Sequence, residues 1–139
     1  IFYIFYINNC NMEVKLKNIK IGDKYDIQLI GEIGQNHNGD IEMAKKLIDI
    51  CNETGIKLIK FQKRDIKNEF TPEEYNREYN SIHSYGKTYG EHREFLEFSK
   101  EQHIELKKYC DDRELIYFCT ACDINSLKMC EEIGCPFYK

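Results

Sequence analysis

The stretch from Leu29 to Asp40, LIGEIGQNHNGD, constrains the fold of this chain more than any other. Leu29-Ile30-Gly31-Glu32-Ile33 is an apolar run interrupted by one carboxylate, as in a strand covered on both faces. It breaks into Gly34-Gln35-Asn36-His37-Asn38-Gly39, and Asp40 is a good N-cap for the helical pattern that follows. Strand, polar loop and helix in that order begin a β-α-β unit, and parallel α/β folds keep their chemistry at the carboxyl ends of the strands. A loop that brings a carboxylate, amides, an imidazole and two glycines to that end reads as an active-site wall.

The same unit recurs along the chain. Ile41, Ala44, Leu47, Ile48 and Cys51 form one apolar face of a helix from about 41 to 54, with Gly55 at its C′ position. Lys57-Leu58-Ile59-Lys60-Phe61-Gln62 follows as a second strand, parallel to the first because the crossover is helical. Ser99-Lys100-Glu101-Gln102 is a capping box opening a helix to about Arg113, with Ile104, Tyr109 and Cys110 available for burial. Leu115 to Thr120 is a third apolar strand. Asp123 caps a third helix carrying Ile124, Leu127, Cys130 and Ile133, and Gly134 and Pro136 end it. Phe137-Tyr138-Lys139 begins a fourth strand.

Ahead of these units, Val14 to Ile21 alternates apolar and charged residues, an exposed strand or small hairpin. Residues 1–11, IFYIFYINNCN, are too short an apolar run to span a bilayer. They read as a segment outside the fold with Met12 as the natural start, or as an added strand. The organisation is therefore 1–26, extension and hairpin, and 27–139, a truncated α/β domain of about four strands. Between Gln62 and Ser99 a long insertion has little apolar periodicity, beyond a helical turn after Thr71-Pro72. Its tyrosines, Tyr75, Tyr79, Tyr85 and Tyr89, with Gly86 and Gly90, suit a lid over a polar ligand or a plain surface excursion.

Composition enters by exclusion. A net charge of −4 with both signs intermixed gives no electrostatic footprint for nucleic acid or an anionic membrane, and neither is expected as a partner. Seven cysteines at strand and helix positions read as reduced thiols acting as small hydrophobes in a cytoplasmic protein. Cys119 and Cys122 flank a strand-to-helix junction, which fits either a redox pair or two structural thiols. His37 either touches substrate or orders its loop, whereas His83, His92 and His103 are read as surface or lid residues.

Strands covered on both faces should be apolar throughout, yet Glu32, Lys60 and Lys139 stand near strand ends, where burial without a partner is costly. Side chains alternate, so Lys60 and Gln62 share a face, and Thr120 ends the third strand similarly. In a parallel sheet Glu32, Lys60, Gln62, Thr120 and Lys139 converge on one mouth. Two lysines and a hydroxyl suit a phosphate or carboxylate ligand, with Glu32 left to handle a proton. The alternative is a Glu-Lys ion pair that closes the sheet end and binds nothing.

GEIGQNHNGD with AKKLID, then KFQKRD, YGKTYGEHREFLEFSKEQHIELKKY, CTACD and GCPFYK together resemble the N-terminal half of the sialic acid synthase family, from about Ile27 to Lys139. That family comprises the N-acetylneuraminate synthases and their legionaminate and pseudaminate relatives. The resemblance implies the N-terminal half of a (β/α)8 TIM barrel with a long loop after its second strand. It implies condensation of phosphoenolpyruvate with N-acetylmannosamine or a related N-acylated amino sugar, assisted by a divalent metal, Mn2+ or Mg2+, in a homodimeric full-length enzyme. Glu32 would be the acid/base, Lys60, Thr120 and Lys139 would hold phosphoenolpyruvate, and Gln62 would contact the sugar, with Asn36 and His37 as candidate loop contacts. Cys122 stands where relatives often carry an aromatic residue. The family's metal-binding histidines and C-terminal sugar-contacting domain would follow Lys139, so no metal ligand is expected here. The isolated chain is expected to be inactive. The competing expectation is a non-catalytic half-barrel that binds an anion or assembles with a partner half.

Overall fold

The structure is a computed structural model that describes residues 2–4, by backbone pairing, and 13–139. Its sheet has the order β1-β4-β5-β6, built from β1 (Phe2–Ile4), β4 (Leu29–Gly34), β5 (Leu58–Lys63) and β6 (Ile116–Ala121). β4, β5 and β6 are parallel, and β1 pairs antiparallel with β4 at the edge. β2 (Val14–Leu16) and β3 (Ile19–Ile21) form a separate antiparallel hairpin that turns at Lys17, whose φ is 51°. Phe2–Ile4 thus takes the added-strand option for the N-terminal segment, while Cys10 and Met12 lie outside the described residues.

α1 (Ile41–Glu53), α5 (Lys100–Asp111) and α6 (Ile124–Glu132) pack on one face of the sheet. Each starts on a side-chain cap: Asp40 accepts from Glu42 and Met43, Ser99 closes a capping box with Gln102, and Asp123 accepts from Ser126. All three also end alike. Gly55, Glu114 and Gly134 take positive φ, and the next N–H returns to a cysteine carbonyl one turn back: Ile56 to Cys51, Leu115 to Cys110 and Cys135 to Cys130, at 2.8, 2.9 and 3.0 Å. This is the Schellman ending, in which the closing residue contacts the cysteine side chain. It explains why thiols recur at these positions as small apolar groups.

Alternation assigns the two faces. Ile33, Ile59, Phe61, Tyr117 and Cys119 point into the helix-side core with Ala44, Ile48, Leu106 and Cys130. Ile30, Leu58, Ile116 and Phe118 point the other way, covered by Ile19 of the hairpin and by Phe137. The polar residues Glu32, Lys60, Gln62 and Thr120 share this second parity, nearer the carboxyl ends.

Several expectations need correcting. The insertion after β5 is not irregular: it folds into α2 (Ile66–Glu69), α3 (Pro72–Asn76) and α4 (Tyr89–Leu96). These helices are too short to display a full apolar period, and ring packing among Tyr79, Tyr85, Tyr89 and His92 holds them instead. Phe137–Lys139 is not a strand but makes a single parallel bridge, Cys119 to Tyr138, with Lys139 N–H donating to the Cys119 carbonyl at 3.3 Å. Ile104 and Ile124 are exposed, and α5 buries His103, Leu106 and Cys110. His92 and His103 are core residues rather than surface ones: His103 is 1% exposed and its Nδ1 meets the Tyr117 hydroxyl at 2.5 Å. A lone histidine in a polar helix pattern gives no sign that it faces a buried phenol. No helix among the described residues is long and apolar enough to cross a membrane.

Candidate active site

The sheet register brings the polar strand ends together. Glu32 is paired with Lys60 across β4 and β5, and Gln62 with Thr120 across β5 and β6. Lys60, only 3% exposed, forms an ion pair with Glu32 and donates toward Thr120 Oγ1 at 3.4 Å. Burial, helped by the Lys139 ammonium, pulls the Lys60 ammonium below its ordinary value, while contact with the Glu32 carboxylate favours its charged form. The second carboxylate oxygen, Glu32 Oε1, is buried with no hydrogen-bond partner among the described residues. An orphaned carboxylate oxygen in a buried position is a costly feature and a natural acceptor for a ligand proton.

Gly34 builds this corner. The β4–β5 register slips between Glu32 and Gly34, and Gly34 has φ +55°. A Cβ there would sit 3.2 Å from Glu32 Oε1 and 3.4 Å from Gln62 Nε2, so the kink leaves no room for a side chain beside the two polar groups. Thr120 and Gln62 are half-buried; Lys139 is exposed, at the bridge beyond β6.

His37 and Asn36 do local work. His37 is 2% exposed and stacks on Phe98 at 3.9 Å, and its Nδ1 accepts from Gly39 N–H at 3.1 Å. Burial pushes it down to about 4, so it is neutral near pH 7. This is the loop-ordering geometry. The exposed Asn36 amide donates to the Ile33 carbonyl at 2.8 Å and closes the same turn. Cys119 is fully buried and Cys122 half-buried, both as free thiols, and burial pushes both above the ordinary thiol value, against the low value a redox nucleophile needs.

Glu97, a residue the sequence did not single out, lies just behind the site. Its carboxylate accepts from Gln35 Nε2 at 2.7 Å, Lys63 Nζ at 3.2 Å and Arg64 N–H at 3.1 Å. The available signal was a lone acid between Leu96 and Phe98, just before the Ser99 capping box. On this helix-covered side a cleft of about 620 Å³ is bounded by Lys63, Arg64, Glu97, Lys100 and Asn125.

The NeuB family model matches residues 47–139. The chain belongs to the NeuB family. Among NeuB relatives, N-acetylneuraminate-9-phosphate synthase of Drosophila melanogaster is 43% identical over 81% of this chain and 30% of its own length. The Mus musculus protein of the same name is 40% identical over 86% and 33%. N,N'-diacetyllegionaminic acid synthase of Campylobacter jejuni is 29% identical. The fold is similar to a sialic acid synthetase of Leptospira borgpetersenii, with TM-score 0.72, 27% identity and coverage of 91% of this chain and 40% of that one. The chain thus spans about a third of the length of these curated NeuB relatives. Among the described residues no three His, Cys, Asp or Glu side chains come together in a way that could hold a metal ion. The divalent ion that the resemblance implies therefore has no ligand set here.

Proposed function

We propose that Glu32, Lys60, Gln62 and Thr120 form one wall of a synthase site that condenses phosphoenolpyruvate with an N-acylated amino sugar, on the N-terminal half of a (β/α)8 barrel. The observation that carries this reading is the buried Lys60–Glu32 pair with its orphaned Glu32 Oε1. Replacing such a pair by apolar residues is often neutral or stabilising, so stability alone gives little reason to keep it, and a charged ligand gives one.

In the reaction, C3 of phosphoenolpyruvate forms a bond to the open-chain sugar's aldehyde carbon, whose oxygen takes up a proton. C2 is left electron-poor, water adds there and loses a proton, and the C2–O bond to phosphate breaks, leaving a ketone and free phosphate. Lys60, the Thr120 hydroxyl and Lys139 hold the anionic phosphoenolpyruvate. Glu32 Oε1 faces C2, where it stabilises positive charge and accepts the proton of the attacking water. Gln62, beside Glu32 at the Gly34 kink, orients the sugar. No step runs through a metal, because the described residues do not form a site for one.

Relatives named N-acetylneuraminate-9-phosphate synthase suggest the substrate more closely. Three carbons of phosphoenolpyruvate added to a six-carbon sugar place the sugar's C6 at C9 of the product. A 9-phosphate therefore starts as an amino sugar 6-phosphate. Turnover is proposed for a polypeptide of the relatives' full length, working as a homodimer, and ligand binding for residues 1–139.

Joining residues 1–139 to the remaining C-terminal part of the Drosophila relative tests this. With phosphoenolpyruvate, N-acetylmannosamine 6-phosphate and manganese, phosphate release is expected, with at least a hundredfold loss in Lys60→Ala. Release that survives Lys60→Ala would reject the site. A second reading, an anion-binding module that assembles through the β6 edge, rests on the single Cys119–Tyr138 bridge beyond that strand. Concentration-dependent dimerisation of residues 1–139 without phosphoenolpyruvate binding would favour it.

A further inference from the structure

The Glu97 carboxylate touches none of the groups assigned to substrate, yet its partners flank them. Gln35 follows Gly34, the residue whose left-handed kink sits against Glu32 Oε1 and Gln62 Nε2. Lys63 and Arg64 directly follow Gln62. One buried carboxylate, 8% exposed, therefore holds the segment just past Glu32 and the segment just past Gln62 through three hydrogen bonds. Lys63 adds a fourth tie, from its Nζ to the Phe98 carbonyl at 3.0 Å. Hydrogen bonds to a charged acceptor are the stronger kind, and at this position they bridge α4 to two strand ends.

We propose that Glu97 is a positioning residue: its carboxylate locks the Gly34–Gln35 turn to the Lys63–Arg64 end of β5 and thereby sets the placement of Glu32 and Gln62. The deduction about placement rests on geometry alone; its consequence for ligand affinity rests on the function proposed above. Burial pushes the Glu97 carboxyl above the usual carboxylate range, opposed by Lys63, the Arg64 N–H and Arg93. The other titratable groups facing it are the Cys119 and Cys122 thiols at the end of β6, which stay protonated through the acidic range.

Two measurements on the 139-residue chain test this. In the first, 1H–15N spectra of the wild type are followed as pH falls. The Arg64 amide and the Gln35 side-chain amide, which donate to Glu97, should titrate together with a midpoint above that of ordinary glutamates. The Gly34 amide and the Gln62 side-chain amide should share that midpoint, and the shared component should vanish in Glu97→Gln. A change of fold stability alone would not produce a common titration. In the second, phosphoenolpyruvate is titrated calorimetrically into the wild type and Glu97→Gln, and the Kd of the variant should be about tenfold weaker. Gly34 and Gln62 resonances that ignore the Arg64 midpoint would overturn the proposal, as would a variant that binds phosphoenolpyruvate as tightly as the wild type. A wild type that binds none would reject the proposed function, while the titration would still decide the role of Glu97.

Discussion

The buried Lys60–Glu32 pair offers a direct separation of a functional role from a structural one. Lys60→Met removes the ammonium and leaves the Glu32 carboxylate, whose side chain is only 11% exposed, without its cation. Breaking a buried pair from one side costs about 3–5 kcal/mol. The lower end applies here, because Lys139 repels Lys60 and that repulsion disappears with the charge. A domain of this size has about 5–15 kcal/mol in total, so the single variant loses a large share of it. The double variant Glu32→Leu/Lys60→Met removes both charges and should return to within about 1 kcal/mol of the wild type, or exceed it. Urea unfolding followed by circular dichroism reads all four corners of the cycle, and calorimetry reads phosphoenolpyruvate binding for each. Binding should be lost in the double variant even though stability is restored. The reasoning fails if the single and double variants lose equal stability, or if the double variant still binds.

Acid should weaken the fold through its histidines. Burial holds His103 at about 3 and His37 at about 4, whereas both titrate near 6.5 when unfolded. Between pH 7 and 5 the unfolded chain therefore binds protons that the folded one refuses, which costs roughly 3–4 kcal/mol for the two together. Glu97, shifted upward, works in the opposite sense. Urea midpoints at the two pH values measure this, and His103→Gln should remove about half of the slope. At Gly90, in α4, a Cβ would lie 2.3 Å from the Tyr75 ring, so Gly90→Ala should push α3 from α4 at a cost of about 1–3 kcal/mol, visible as a lower Tm.

The β-α units were legible because their signals are local. Period-3.6 apolar faces, side-chain caps at Asp40, Ser99 and Asp123, and positive-φ glycines at 55 and 134 each act within a few residues. Strand alternation went further, since it placed Lys60 and Gln62 on one face, and the register brought Glu32 and Thr120 beside them. What stayed hidden depends on distant partners. Glu97 reads as a surface acid until Gln35, 62 residues away, arrives with Lys63 and Arg64. His103 reads as a helix-surface residue until Tyr117 meets it across the core. The insertion resisted because α2 and α3 span only four and five residues, too few to show a face.

The central claim, that the Glu32–Lys60–Gln62–Thr120 face receives phosphoenolpyruvate, is tested most directly by chemical-shift mapping of the 139-residue chain with that ligand. The account predicts saturable shifts concentrated at Glu32, Gly34, Lys60, Gln62 and Thr120, and none at Lys60 in a Thr120→Val, Lys60→Met background. Shifts confined to the helix-side cleft at Lys63, Lys100 and Asn125, or none at all at millimolar ligand, would contradict it.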